Sequence, residues 1–341
     1  MMRGFGNTTM VVLGGAGFIG SNFIRQVISK SPKTKIVCVD ALTYAGNREN
    51  LKGLPAKRFA FIKGDITDTV HMKKIFIKYA PSYVINFAAE SHVDRSIHGG
   101  AGVCIRTNVY GTTVLLEALR HTPSVKKFVQ VSTDEVYGAL SLNSKSTFTE
   151  QSPLAPNSPY AASKASSDLV ASAYYATYAL PIVITRCSNN YGPYAYPEKF
   201  IPYSITRLME GKSIALYGDG KYVRDWIHVE DHCRALVLAL VKGIPGEIYN
   251  VGANDEVDNL TLAKNILKYF KKDMSALTFV KDRPGHDRRY AIDASKIKKE
   301  LGWKPKHSFR TSFNPTIAWY VQNAGWARRA LKRTGIANIH I

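Results

Sequence analysis

Met10-Val11-Val12-Leu13-Gly14-Gly15-Ala16-Gly17-Phe18-Ile19-Gly20 is the stretch that decides the fold. An apolar, strand-like run stops at a glycine turn. Phe18, Ile19, Phe23, Ile24, Val27 and Ile28 then recur at helical spacing. Strand, glycine turn and helix in that order let backbone N–H groups and a helix N-terminus approach a pyrophosphate. Gly14, Gly17 and Gly20 are evenly spaced, a variant of the commoner G-x-G-x-x-G, and such a loop alone is a weak signal.

The following segments strengthen it. Lys35-Ile36-Val37-Cys38-Val39 reads as a second strand ending in Asp40, where an acidic residue meets the ribose of a dinucleotide and repels a 2′-phosphate. NAD is therefore favoured over NADP. A third strand, 59–63, leads to Asp65 and Ile66, a side chain and a backbone N–H able to read an adenine edge. A fourth, 83–87, ends in Ala88 and Ala89, small enough for a flat cofactor to lie on the backbone. Strands alternating with helical patterns imply right-handed crossovers and a parallel sheet covered on both faces. The class is α/β, a Rossmann-type doubly wound parallel sheet with a smaller C-terminal substrate-binding lobe.

Phe128-Val129-Gln130-Val131 is a fifth strand, and Ser132-Thr133-Asp134-Glu135 follows it. Two adjacent carboxylates at a strand's C-terminal edge are costly unless solvated, paired or used, and that edge is where open parallel sheets bind ligands. A turn or helix cap is the bland alternative. Pro159 opens a helical pattern running to about Tyr178, in which Tyr160 and Lys164 lie four residues apart on one face. An ammonium near a phenol lowers its pKa and makes the tyrosine a candidate base.

A sixth strand, 182–186, closes a dinucleotide-binding region assigned to 1–187, with contributions from later segments. Residues 188–341 are turn-rich and form mainly the second lobe. There Lys199, Arg224, Arg283 and His286 suit an anionic diphosphate, arginine offering forked contacts. From about Trp319 the chain reads as a terminal basic helix whose Arg328, Arg329, Lys332 and Arg333 form a solvated face.

The 341 residues carry a formal charge of +20. The basic residues are dispersed, which argues for an anionic substrate or a solvated surface over nucleic acid. No apolar run is long enough to cross a bilayer, and residues 1–7 lack a signal-peptide core. Cys38, Cys104, Cys187 and Cys233 are widely separated, mostly within apolar runs, and read as buried thiols with no metal site. A cytoplasmic location is expected.

Together these motifs make the chain resemble the extended short-chain dehydrogenase/reductase superfamily. Within it the chain looks most like the nucleotide-diphosphate-glucose 4,6-dehydratases, as in rhamnose and other deoxysugar biosynthesis. The resemblance spans about Thr8 to Tyr320. Its specific carriers are Phe87-Ala88-Ala89-Glu90-Ser91-His92, Ser132-Thr133-Asp134-Glu135-Val136-Tyr137-Gly138, Ser188-Asn189-Asn190-Tyr191-Gly192-Pro193, Pro197-Glu198-Lys199 and Asp282-Arg283-Pro284-Gly285-His286. Leu13 in place of Thr, Arg106 in place of Glu and a short segment before Tyr160 depart from the family pattern.

The resemblance implies NAD as cofactor, a nucleotide-diphosphate-glucose as substrate (dTDP or UDP) and a homodimer built from the helices after Thr107 and Tyr160. It implies Tyr160 as base at O4, Lys164 as its partner, Glu135 as base at C5, Asp134 as acid at the C6 hydroxyl and Thr133 bonded to O4. Ser91, Asn189, Lys199, Tyr217, Arg224, Asn259, Arg283 and His286 become substrate contacts. A nucleotide-sugar 4-epimerase would share the glycine loop, Asp40, Tyr160 and Lys164 but not need the acidic pair. A catalytically idle NAD(H)- or RNA-binding module could dispense with all of these catalytic groups.

Overall fold

The computed structural model describes residues 5–282 and 284–334. Seven strands make one parallel sheet: β1 Thr9–Leu13, β2 Lys35–Asp40, β3 Phe59–Lys63, β4 Tyr83–Asn86, β5 Lys127–Thr133, β6 Ile182–Cys187 and, from much later in the chain, Ile248–Val251. The order across the sheet runs from Ile248–Val251 through β6, β5, β4, β1 and β2 to β3.

Alternate residues of the strands feed two cores, which is why the strands read as unbroken apolar runs. Met10 and Val12 of β1 pack on one face with Phe23, Ile24 and Val27 of helix Phe18–Lys30. Val11 and Leu13 pack on the other with Met72, Ile75 and Phe76 of helix Thr69–Tyr79. Helices Thr112–Arg120 and Pro159–Tyr178 complete the second face. The first is completed by helix Val229–Lys242, which returns from the C-terminal half. The region through residue 187 thus borrows a strand and a helix from beyond it.

The remaining strands are β7 Asn189–Tyr191, β8 Ile214–Tyr217, β9 Val223–His228, β10 for the Ile248–Val251 strand already placed, β11 Glu256–Asp258 and β12 Leu277–Val280. β9 lies between β7 and β11, while β8 pairs with β12. Around them a third core gathers Ile205, Leu216, Trp226, Leu262, Phe313 and Tyr320. This is the smaller lobe.

The carboxyl ends of β1 and β4 mark the point where strand order reverses, the place where such sheets bind ligands. Gly14 turns there with a φ of +72°, and a Cβ on it would come 2.5 Å from the Ala88 nitrogen. Gly14→Ala should lower stability by more than the roughly 1–2 kcal/mol of a left-handed backbone, because the Ala88 segment must also shift. Denaturant unfolding would measure this, and an equally stable variant would contradict the close approach.

Candidate active site

A cavity of about 370 Å³ opens at this switch point, and both lobes line it. Its first group of residues is the glycine loop with its helix: Gly14, Gly17, Phe18, Ile19 and Gly20. Gly17 caps helix Phe18–Lys30 without a side-chain acceptor, so the first-turn amides face the cavity without a competing cap. Asp40 stands at the end of β2, its carboxyl fixed by the N–H groups of Ala16 (2.9 Å) and Leu42 (2.8 Å). Burial raises its pKa and those two donors oppose the rise. Asp65, Ile66, Ala88 and Ala89 complete this end. Helix N-terminus, ribose acid and small-residue floor fit NAD together, and every residue assigned to the cofactor from sequence lines the same cavity.

Thr133, Asp134, Glu135, Tyr160 and Lys164 line its middle. β5 delivers Thr133, and a single 3₁₀ turn, Asp134–Tyr137, holds both acids. The Thr133 hydroxyl caps that turn, accepting from the Glu135 N–H at 3.3 Å, and lies 3.4 Å from Asp134 Oδ1. Asp134 is 1 % exposed, and its Oδ2 has no hydrogen-bond partner among the described residues. Burial first, then the charges of Glu135 and Asp225, push its pKa well above the carboxylate range. Glu135 beside it is only half-buried. The environments of the two acids therefore differ, which is what a division into acid and base requires.

Ser158 caps helix Pro159–Tyr178, its hydroxyl accepting from the Ala161 N–H, and Pro159 sits at the first helical position. That start fixes Tyr160 and Lys164 on the cavity side. The Lys164 ammonium donates to the Val131 carbonyl at 2.7 Å, with the buried Asp168–Arg186 pair (2.9 Å) behind it. The expected lowering of the Tyr160 pKa is not produced by protein groups. Burial, then Glu135, push that phenol well above its ordinary range, while burial lowers Lys164. Desolvation outweighs the helix-face pairing read from the sequence.

At the substrate end lie Ser91, Asn189 and Lys199. Lys199 Nζ donates to the Ser91 carbonyl at 2.9 Å, and the Ser91 hydroxyl meets the Tyr44 hydroxyl at 2.9 Å. Tyr217, Arg224, Asn259 and His286 do not line this cavity; they sit together in the smaller lobe. His286 stacks on Tyr222 at 3.6 Å and meets Asp282 at 2.8 Å, with Tyr217 edge-on at 5.9 Å. The Asn259 N–H bonds the Tyr222 carbonyl. Arg224 donates to the carbonyls of Val223 and Asp287 and covers the Tyr290 ring at 4.3 Å. Arg283, the last of the substrate contacts expected from sequence, lies outside the described residues.

Glu198 lines the cavity without having been assigned a role from sequence. Its oxygens have no hydrogen-bond partner among the described residues, and burial pushes its carboxyl up to about 7. The signal was present in Pro197-Glu198-Lys199, but its burial was not. Thr107 also reaches the cavity, from a π-helical segment, Ile105–Gly111, whose Asn108 holds both the N–H and the carbonyl of Glu90. Outside this lining, His228, Glu230 and His307 place nitrogen and oxygen atoms within 4.8 Å of one another. His228 Nδ1 already accepts from the Glu230 N–H, however, and His307 Nδ1 faces Asp231.

The GDP-mannose 4,6 dehydratase family matches residues 11–315. A dTDP-glucose 4,6-dehydratase from Xanthomonas campestris pv. campestris (strain B100) is 48 % identical, covering 95 % of this chain and 96 % of that protein. The chain belongs to the dTDP-glucose 4,6-dehydratase family. A dTDP-glucose 4,6-dehydratase from Streptomyces venezuelae, solved with NAD and the ligand TYD bound, is 47 % identical with a TM-score of 0.90, covering 94 % of this chain and 99 % of that one. A UDP-glucose 4-epimerase from Thermotoga maritima shares the fold at 30 % identity and a TM-score of 0.85, covering 93 % of this chain and 99 % of that one. The fold is thus common to dehydratases and epimerases.

Glu198 supplies a test of the site's electrostatics. A carboxyl whose pKa is raised from 4.5 to about 7 binds more protons folded than unfolded, so stability falls as pH rises through that window. Glu198→Gln should flatten the decline in melting temperature between pH about 5 and 7. An unchanged profile would mean that this carboxyl is already charged.

Proposed function

We propose that the chain is an NAD-dependent hydro-lyase that converts dTDP-glucose to its 4-keto-6-deoxy product. The observation that carries this reading is the buried Asp134 carboxyl beside the half-buried Glu135, in one cavity with Tyr160, Lys164 and the residues suited to NAD. An epimerase shares the rest of that cavity and has no use for a proton donor and acceptor side by side.

NAD⁺, held by the glycine loop, Asp40 and the Ala88–Ala89 floor, would supply a hydride acceptor for sugar C4 and, once reduced, a hydride donor for C6. Tyr160, as the phenolate, accepts the O4 proton, with Lys164 held against the Val131 carbonyl as its neighbouring cation. The ketone formed at C4 makes the C5 proton acidic. Glu135 removes that proton, and Asp134, its protonated form favoured by burial, gives its own to the departing C6 hydroxyl; a proton returns to C5 as the hydride reaches C6. Thr133, hydrogen-bonded within the same turn, is positioned to bond O4. Ser91, Asn189 and Lys199 are proposed substrate contacts, and the Tyr217–Arg224–Asn259–His286 group is proposed for the nucleotide diphosphate.

A homodimer is supported by exposed apolar side chains on neighbouring segments: Val103, Ile105 and Tyr110 on one, Leu169, Tyr175 and Tyr178 on helix Pro159–Tyr178. Among the described residues no helix is long and apolar enough to cross a membrane. Four buried, unpaired cysteines support a cytoplasmic location. Dispersed basic residues give no support for a nucleic-acid partner.

Two experiments test the reading. Purified protein incubated with dTDP-glucose or UDP-glucose, without added reductant, should release a product lighter by one water from the dTDP sugar at the higher rate. No water loss from either substrate would sink the assignment. Asp134→Asn should cut elimination by about 10²–10⁴-fold, the usual worth of one general acid, while reduced nicotinamide still forms. Glu135→Gln should behave likewise and also lose exchange of the C5 proton with solvent. A folded variant unable to reduce bound NAD⁺ would show that the acids do not act after oxidation.

A further inference from the structure

Arg328, Arg329, Lys332 and Arg333 of the terminal basic helix are exposed, as expected, but two of them also reach across to the first lobe. Helix Ala324–Thr334 buries Trp326, Ala327 and Ala330, and crosses back to the cofactor end of the first lobe. Trp326 Nε1 donates to Asn50 Oδ1 at 2.9 Å. Arg329 forks onto the Glu49 carboxylate at 2.9 and 2.8 Å. The Ala330 carbonyl accepts from the Tyr196 hydroxyl at 3.3 Å. Arg333 donates to the carbonyls of Tyr44 at 2.9 Å and Thr43 at 3.4 Å. Residues 326, 329, 330 and 333 follow the spacing that puts side chains on one helix face. Successive turns therefore grip successive points of residues 43–50.

That segment is part of the cavity wall. Thr43, Ala45 and Gly46 line the cavity just beyond Asp40. Gly46 lies so close that a Cβ would come 2.3 Å from Asp40 Oδ1. Asn47 N–H and Asn50 Nδ2 both bond the Ala16 carbonyl of the glycine turn, each at 2.9 Å. Tyr44 ties the segment to the substrate end through Ser91 and carries the Arg95 guanidinium over its ring at 4.4 Å. The far side of the wall is held by the last helix. A helix serving only to close the smaller lobe's core would need Trp326 and Ala327, but neither Arg329 nor Arg333.

We infer that Arg333, seconded by Arg329, is a positioning residue that retains NAD by pinning the 43–50 segment against the cofactor end of the cavity. The inference rests on the NAD reading above. Arg333 touches backbone carbonyls of the wall, and its effect is on how fast the cofactor leaves rather than on the reacting atoms.

The test measures NAD content per protomer and the NAD dissociation rate in the unaltered protein and in variants. Both arginines are exposed, and the buried Trp326, Ala327 and Ala330 remain, so Arg333→Ala and the double Arg329→Ala/Arg333→Ala variant keep the packing that folds the helix. Dissociation should quicken about tenfold in Arg333→Ala, the scale of a lost charge-assisted contact, and further in the double variant. The rate constant at saturating NAD should fall far less than the apparent NAD affinity. Arg333→Lys, which keeps the charge but not the fork, should recover part of the loss. Arg328→Ala removes the same charge from the same helix and should change neither quantity. Unchanged NAD content and dissociation in the double variant would overturn the inference alone. An unaltered protein that neither carries nor takes up NAD would overturn the cofactor reading, and this inference with it.

Discussion

Burying a carboxyl without giving its charge a partner is among the costlier things a fold can do, worth several kcal/mol for an anion. Asp134 comes close to this: it is buried, one oxygen has no hydrogen-bond partner among the described residues, and the charges of Glu135 and Asp225 outweigh the opposing charge of Arg224. Burial raises its pKa well above the carboxylate range and so favours the protonated form that the proposed proton donor needs. The rest of the site is arranged around it. β5 ends at Thr133, the 3₁₀ turn carries both acids, and helix Pro159–Tyr178 sets Tyr160 and Lys164 across from them. Asp225 of β9, itself pushed up to about 6 by burial, adds to the raising of Asp134 from the smaller lobe.

The parallel sheet supplies the rest of the geometry. Because β1 is flanked by β2 and β4, its carboxyl end opens onto a crevice where Gly14, Asp40 and Ala88 converge. The residues proposed for sugar chemistry and those suited to the cofactor then share one cavity. The smaller lobe closes it from the other side, and the last helix returns to buttress the wall beside Asp40. In the proposed reading, the acidic pair is what separates a dehydratase from an epimerase on this fold.

Much of this was legible in the sequence, for physical reasons. Strands buried on both faces read as continuous apolar runs, so six of the seven sheet strands were found within a residue or two. Pro159–Tyr178 was marked by its own start signal. The seventh strand, Ile248–Val251, was missed because it has four residues, one of them Asn250, whose side chain accepts from the Tyr137 hydroxyl at 2.8 Å. The cofactor residues formed local motifs and converged in one cavity. Tyr217, Arg224, Asn259 and His286 came from short turns whose position depends on how the chain returns, and they gather outside it. Burial was the least legible quantity. It sets Glu198 near 7, raises Tyr160 where the Tyr160–Lys164 spacing suggested lowering, and turns a basic terminal helix toward the cofactor wall.

The central claim is that one cavity performs oxidation, elimination and reduction on a single sugar without releasing it. Its most direct measurement uses dTDP-glucose deuterated at C4, turned over in ordinary water without added reductant, and reads the label in the product by mass spectrometry and NMR. The account predicts loss of one water, with the C4 deuterium recovered at C6 of the same molecule and a solvent proton at C5. A dehydrated product with the deuterium lost to solvent, or a C4 epimer that has lost no water, would contradict it.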